Sequence, residues 1–291
     1  MEIVSDVTII QSAMNSKRKY NIIFRACDIV NAVNKNPRPF NLEKAQLIKL
    51  CFLSLVESLK GLDFKIIVLG DKLSEEMIAF FNRFEVELHL GNFGNAASFR
   101  ETLKIASTIP DDEWIYFCED DYLHVPHAFK IIDQFLNERN SLFNQKKKLD
   151  NLSTLVNLKD KDLFIFPPDY PDRYKPRYRK HSLILVSSDC HWRQVTNITL
   201  TFLTKSSAIK KHFSLFKKSS VKAGEGTLGN ADRLLSRKLF GRFGCGFWTS
   251  SVCFSPIPGL STHMHRDTMT PLVNWEKIIR DYISKVEALE K

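Results

Sequence analysis

Residues Trp114–Cys118 read WIYFC, five apolar side chains in a row, and Glu119, Asp120 and Asp121 follow at once. A strand wet on one face alternates apolar with polar residues. An unbroken run of this length belongs instead to a strand buried on both faces, as in a parallel sheet covered by helices. Three carboxylates at the mouth of such a strand repel one another, and an unpaired buried charge costs on the order of several kcal/mol. A positive partner is therefore expected. Ligands of open α/β sheets bind beyond the carboxyl ends of the strands, which points to a divalent cation held against a phosphorylated ligand. Side chains two apart share a strand face, so Glu119 and Asp121 are expected in the cleft and Asp120 on the other side. The competing explanation is that the acids only precede a helix opening at Pro126 and His127, so the metal reading needs support from elsewhere in the chain.

The preceding segments alternate strand and helix. IIFRACD, within residues 20–30, is a strand that runs into Arg25, Cys27 and Asp28, a cation and a carboxylate suited to a nucleotide edge or to pairing with each other. Asn41 can cap a helix with Leu47, Leu50, Cys51 and Leu55 as its inner stripe. FKIIVLG from Phe64 is a second buried strand closing on Asp71, Ser74 opens a helix, and VELHL from Val86 is a third strand. Ser98 and Glu101 have capping-box spacing. Four strands with helical crossovers predict a parallel sheet with Asp28, Asp71 and Glu119–Asp121 on one edge. There is no G-x-G-x-x-G after the first strand and no phosphate-loop motif, which argues against a dinucleotide-binding dehydrogenase and a P-loop phosphotransferase.

The second half reads differently. Residues 137–154 are polar and Lys-rich, as in a loop. LFIFPP from Leu163, SLILVSS from Ser182 and VTNITLTFL from Val195 are strand-like. The loop DYPDRYKPRYRKH between the first two offers Tyr and Arg to sugar hydroxyls or phosphates, and His191, Trp192 and Arg193 are a candidate pocket wall. Gly224, Gly226 and Gly229 surround Glu225, and Asn230 can cap a helix carrying Asp232 in its first turn, where a carboxylate also suits the helix dipole. His263 and His265 stand two apart, a metal signal that gains weight beside a carboxylate cluster. Residues 274–289 form an amphipathic helix with Trp275, Ile279, Tyr282, Ile283 and Val286 inward.

The 291-residue chain has room for a sizeable core in one domain, and its formal charge of +9 favours an anionic partner such as a nucleotide or an anionic membrane surface. No base-stacking or other nucleic-acid-binding pattern is present, so nucleic acid is not an expected partner. The N-terminus lacks a signal-peptide pattern, no apolar run approaches the roughly 20 residues that span a bilayer, and the six scattered cysteines read as reduced thiols. A cytoplasmic protein, peripheral at most to the inner membrane face, is expected.

In this order the parts resemble the nucleotide-sugar-dependent glycosyltransferases of GT-A fold, and within them the bacterial inverting enzymes similar to family two. The matching positions are Glu119, Asp120 and Asp121 for the DxD-type motif, residues 224–226 for the Gly-bearing loop, Asp232 for the acid opening a helix, and His263 for the C-terminal histidine. Two positions depart from the pattern: Glu stands first in the acidic motif, and Ala231 precedes Asp232 where the family has an acid. The resemblance implies one α/β domain with a mixed, mostly parallel sheet flanked by helices. Residues 1–136 would form its nucleotide-binding half, and residues 155–291 a more β-rich acceptor-binding and catalytic half with a C-terminal helix. It implies a Mn²⁺ or Mg²⁺ held by Asp121 and His263, and a UDP-sugar or related donor contacted by Arg25, Asp28, Asp71, Glu119, Asp120 and Arg193. A glycan or lipid-linked acceptor would be deprotonated by Asp232 or Glu225. The rival enzyme is a metal-dependent nucleotidyltransferase, which would ordinarily carry a Gly-rich basic loop after the first strand. The rival non-enzyme is a basic nucleic-acid-binding protein.

Overall fold

The computed structural model describes residues 18–29, 38–144, 158, 160–175, 183–223, 228–241 and 249–291. Strands β1 (Lys19–Ala26), β2 (Asp63–Asp71), β3 (Val86–Gly91) and β4 (Trp114–Glu119) are linked by helices α1 (Lys44–Ser58), α2 (Glu75–Phe81) and α3 (Asn95–Thr108). All pair in parallel, in the order β3-β2-β1-β4. Next come β5 (Tyr122–His124), α4 (Ala128–Asn144), β6 (Asp162–Ile165), β7 (Ile184–Val186), β8 (His191–Val195) and β9 (Phe202–Lys205). Helices α5 (Ser206–Lys211), α6 (Phe213–Ala223) and α7 (Leu228–Phe240), strands β10 (Ser251–Ile257) and β11 (Ser261–His263), and helix α8 (Trp275–Glu290) complete the chain. The sheet continues past β4 as β9-β6-β10-β8-β7. β9 runs antiparallel to both β4 and β6, which makes the sheet mixed. The expected mixed sheet flanked by helices and closed by a C-terminal helix is the observed one.

Period-two alternation along the central strands divides the core between the two faces. Trp114, Tyr116 and Cys118 of β4 pack with α1, α2, α4 and α8 on one side. Ile115 and Phe117 pack with α3, α5, α6 and α7 on the other. Both faces are covered, so no polar residue interrupts WIYFC. Helix α8 buries Trp275, Ile279, Tyr282 and Val286 and leaves Ile283 partly covered, as its amphipathic pattern requires.

Several local expectations give way to tertiary context. α1 begins at Lys44, because Asn41 closes a short 3-10 turn at Pro39–Asn41 and Glu43 takes the cap position. α3 begins at Asn95 after Gly94, whose φ of 75° suits glycine, so Ser98 lies inside the helix and donates to the Asn95 carbonyl at 2.9 Å. Helix α4 continues to Asn144 through what reads as loop, and residues 145–154 lie outside the described segments. VTNITLTFL is not one strand: Val195 ends β8 and Phe202 opens β9, with Ile198 buried between them. α7 begins at Leu228, which places Asn230 inside the helix and Asp232 in its second turn.

Trp192 does not line a pocket. It is fully buried, stacks on Phe135 at 4.0 Å between ring centroids, and donates through Nε1 to Ser187 Oγ at 3.1 Å. Trp192→Ala is expected to cost about 3–5 kcal/mol of stability, visible as a lowered urea midpoint; an unchanged midpoint would remove this side chain from the core.

Candidate active site

The carboxyl ends of β1, β2 and β4 lie together, and the three acids at the end of β4 each find a different partner there. Glu119 accepts from Arg25 Nη2 at 2.6 Å, and its backbone amide donates to Thr201 Oγ1 at 3.0 Å. Arg25 also donates to Asn95 Oδ1 and Ser98 Oγ, so it ties the end of β1 to the start of α3. Asp120 turns the other way, as strand alternation predicts, and accepts from Lys44 Nζ at 2.5 Å and from the Cys27 amide at 2.9 Å. Lys44 stands in the first turn of α1, where a cation opposes the helix dipole. That misfit was the available sequence signal for it.

Asp121 meets His263, 142 residues away, at 3.0 Å between Oδ2 and Nε2. The antiparallel β5–β11 ribbon makes this contact, pairing Tyr122 with His263, while the Met264 amide donates to the Asp121 carbonyl at 2.8 Å. The Tyr122 ring stacks on His263 at 4.9 Å, and the His265 ring also stacks on His263, at 4.4 Å. Thr268 Oγ1 lies 3.2 Å from His263 Nδ1 and helps fix the ring. The Tyr122 hydroxyl in turn bonds Tyr170 and Thr199 at 2.7 and 2.9 Å.

Among the described residues, Asp121, His263 and His265 form a group whose ligand atoms all lie within 4.8 Å of one another. The group fits a divalent ion on two further grounds. Asp121 Oδ1 is buried with no hydrogen-bond partner among the described residues. The 3.0 Å separation of Oδ2 and Nε2 also matches two neighbouring ligands about 2.1 Å from an octahedral ion. His265 thus joins Asp121 and His263, the two expected ligands; its i, i+2 spacing from His263 is the sequence signal for it.

Burial works against ionising Asp121, but His263 and then Lys44 outweigh it and hold its carboxyl well below the usual range. Burial lowers the His263 value, and Asp121 with Glu119 and Asp120 more than reverse this, so the imidazole is raised. Burial first, then the Asp121 charge, raises Glu119 against the pull of Arg25. Asp232 faces the same rim from α7. Burial and then the Glu119 charge push its carboxyl up to about 7, with Arg25 opposing.

The remaining expected residues sit further out. Asp28 accepts from the Ser74 amide at 3.0 Å and from its hydroxyl, at the head of α2. Asp71 ends β2 and accepts from the Phe93 amide at 2.7 Å. Both carboxylates therefore order loops at the rim. Arg193 lies 3.5 Å from Asp169 and over the Tyr174 ring. Glu225 and its flanking glycines at 224 and 226 fall outside the described residues. No described helix is long and apolar enough to cross a membrane.

No protein-family model and no curated protein sequence matches the chain. Among solved structures it is similar to S. aureus TarS 1–349, at 13% identity and a TM-score of 0.39, over 67% of this chain and 49% of that one. The chain thus spans about half the length of that protein. It is also similar to the galactosyltransferase LgtC in complex with donor and acceptor sugar analogs, at 12% identity and a TM-score of 0.44, over 91% and 95% of the two chains. A nucleotidyl transferase from Methanothermobacter matches at 10% identity and a TM-score of 0.43, over 93% and 100%. Glycosyl and nucleotidyl transferases both occur among the structures this chain is similar to.

Proposed function

We propose that the chain is an inverting glycosyltransferase that moves a sugar from a nucleoside-diphosphate donor to an acceptor hydroxyl, assisted by a divalent metal. The observation that supports this most is the arrangement at one rim: a carboxylate and two imidazoles able to share an ion, faced by a separate carboxylate on α7 that is protonated or ionised near neutrality. The first group suits a diphosphate leaving group and the second suits a general base.

Asp121, His263 and His265 would hold the metal. Two imidazoles suit Mn²⁺ better than Mg²⁺, which prefers oxygen ligands. Bound there, the ion would act as a Lewis acid and neutralise charge on the departing diphosphate. Lys44 and Arg25 add fixed positive charge beside it, and Asp120 and Glu119 hold these two cations in place. Ionised Asp232 accepts the proton of the acceptor hydroxyl as that oxygen bonds to the anomeric carbon. The bond from that carbon to the diphosphate oxygen breaks on the opposite face. One carboxylate base is enough for such a displacement, which inverts the anomeric centre. Asp28 and Asp71 order the rim loops of β1 and β2, where the nucleoside would lie. A UDP-sugar is the donor proposed.

A thermal-shift panel with and without Mn²⁺ tests the reading. UDP with Mn²⁺ is expected to stabilise the protein by about 3 kcal/mol at a hundredfold excess over Kd, and UDP-sugar consumption should release UDP. Stabilisation only by nucleoside triphosphates, with pyrophosphate as product, would make the chain a nucleotidyltransferase instead.

A further inference from the structure

The carboxyl end of β4 meets the catalytic rim. Its other end, about 17 Å away along the strand, meets a separate cavity of about 260 Å³ bounded by α4, the start of β6, the end of β9 and the start of α5. Trp114, the first residue of β4, lines it and is itself buried. Arg139 of α4 and Lys205 of β9 both lie over this one indole, at 5.6 and 6.0 Å from its centroid. Neither cation has a carboxylate within ion-pair distance, or a hydrogen-bond acceptor, among the described residues. Burial and then the Arg139 charge lower the Lys205 ammonium, and Asp112 only opposes them. Burial and then the Arg18 charge bear on Arg139 in the same sense. Arginine keeps its charge in a protein interior, so two like charges stand side by side in a partly buried wall.

The other charges at the cavity do not cancel these two. Asp162 lies 2.8 Å from Lys211 Nζ and 2.9 Å from His212 Nε2. Asp160 stands next to Lys161, the third cation lining the cavity. Arg18 is itself paired with Asp133 at 3.0 Å. Arg139 and Lys205 are therefore the unmatched pair. The cavity is also accessible, because Asn140, Asp160 and Ser207 on its lining are exposed to solvent.

We propose that this cavity binds a phosphate monoester carried on a small polar body such as a sugar, at a site separate from the rim. A phosphate monoester carries about −1.5 to −2 charges near neutral pH, which matches two unmatched cations, whereas a carboxylate supplies only one charge. Arg139 offers a planar fork to two phosphate oxygens, and Lys205 a point charge to a third. The Asn140 amide and the Ser207 hydroxyl can meet hydroxyls of the attached body. Bound there, the phosphate turns the repulsion between Arg139 and Lys205 into attraction to a shared anion. The inference holds whichever transfer the rim performs.

The test titrates glucose 1-phosphate, inorganic phosphate and glucose into the full chain by calorimetry, with EDTA present so that no divalent ion draws phosphate to the rim. Wild-type protein is expected to bind both phosphates and not glucose. Arg139→Gln, and Lys205→Met, which keeps the aliphatic stem over Trp114, should each weaken glucose 1-phosphate at least about tenfold. Asp121→Ala, at the far end of β4, should bind it as wild type does. Vesicles of phosphatidylcholine with and without phosphatidic acid present the same monoester on a membrane: retention on the phosphatidic acid vesicles alone, lost in Arg139→Gln, identifies a lipid headgroup as its source, and no retention identifies a soluble one. Absence of phosphate binding by wild type, or unchanged affinity in both Arg139→Gln and Lys205→Met, overturns the inference. Loss of binding in Asp121→Ala with retention in the other two overturns it as well, by placing the phosphate at the rim.

Discussion

Asp232→Asn is expected to cut sugar transfer by about 10²- to 10⁴-fold, the usual contribution of a positioned general base, with UDP and Mn²⁺ binding unchanged. Asparagine keeps the size of the side chain and cannot take a proton. The pH dependence provides a second readout. Burial and the Glu119 charge raise the Asp232 carboxyl to about 7, so the wild-type rate should climb as pH rises through that value and the base form fills. The variant should lose that inflection. Stability should move in the opposite sense. The unfolded carboxyl ionises near 3.8 and the folded one near 7, so ionisation favours the unfolded chain increasingly as pH rises between the two. Asp232→Asn lacks this slope and is expected to melt a few degrees higher than wild type at pH 8. Wild-type transfer rates in the variant would move the base elsewhere, with Glu225 the next residue to replace.

The second large effect is expected of Asp121→Ala. This removes the only carboxylate of the three-residue group and leaves two imidazoles, a set with little hold on Mn²⁺. Metal affinity should fall by more than the 10–100-fold that loss of an outer-shell partner typically costs, and transfer should vanish with it. His263 loses the neighbour that raises it, so the metal-free variant carries a neutral ring there at lower pH than wild type does. Electron paramagnetic resonance of added Mn²⁺ measures the affinity directly. Unaltered Mn²⁺ binding would exclude Asp121 as a ligand, and its contact with His263 would then be only an ion pair within the fold.

How far the site could be read in advance differs residue by residue. Glu119, Asp120 and Asp121 stood out because a polar cluster at the end of a buried strand is a local anomaly. Their split directions followed from strand alternation, and Asp120 does turn towards Lys44 and the Cys27 amide. Trp192 misled because an aromatic between His and Arg reads equally well as a pocket wall or as core, and only the stacking with Phe135 from α4 decides between them. Arg173 looked like one basic residue among several in a Tyr- and Arg-rich loop. Only the fold brings Asp169, Pro168 and Ser255 of β10 together around one of its nitrogens.

Read alone, the chain determined its alternating strands and helices, the parallel first half of the sheet and the acidic end of β4, because each is written in the period and burial of adjacent residues. The tertiary structure alone decided that Asp121 meets His263 and His265, and that Asp232 sits near enough to Glu119 to shift its proton affinity. Those distances are set by the pairing of β5 with β11 and by the packing of α7 across the sheet, contacts more than 100 residues apart in sequence. Short-range patterns carry no record of such register, since it emerges only when the whole core closes.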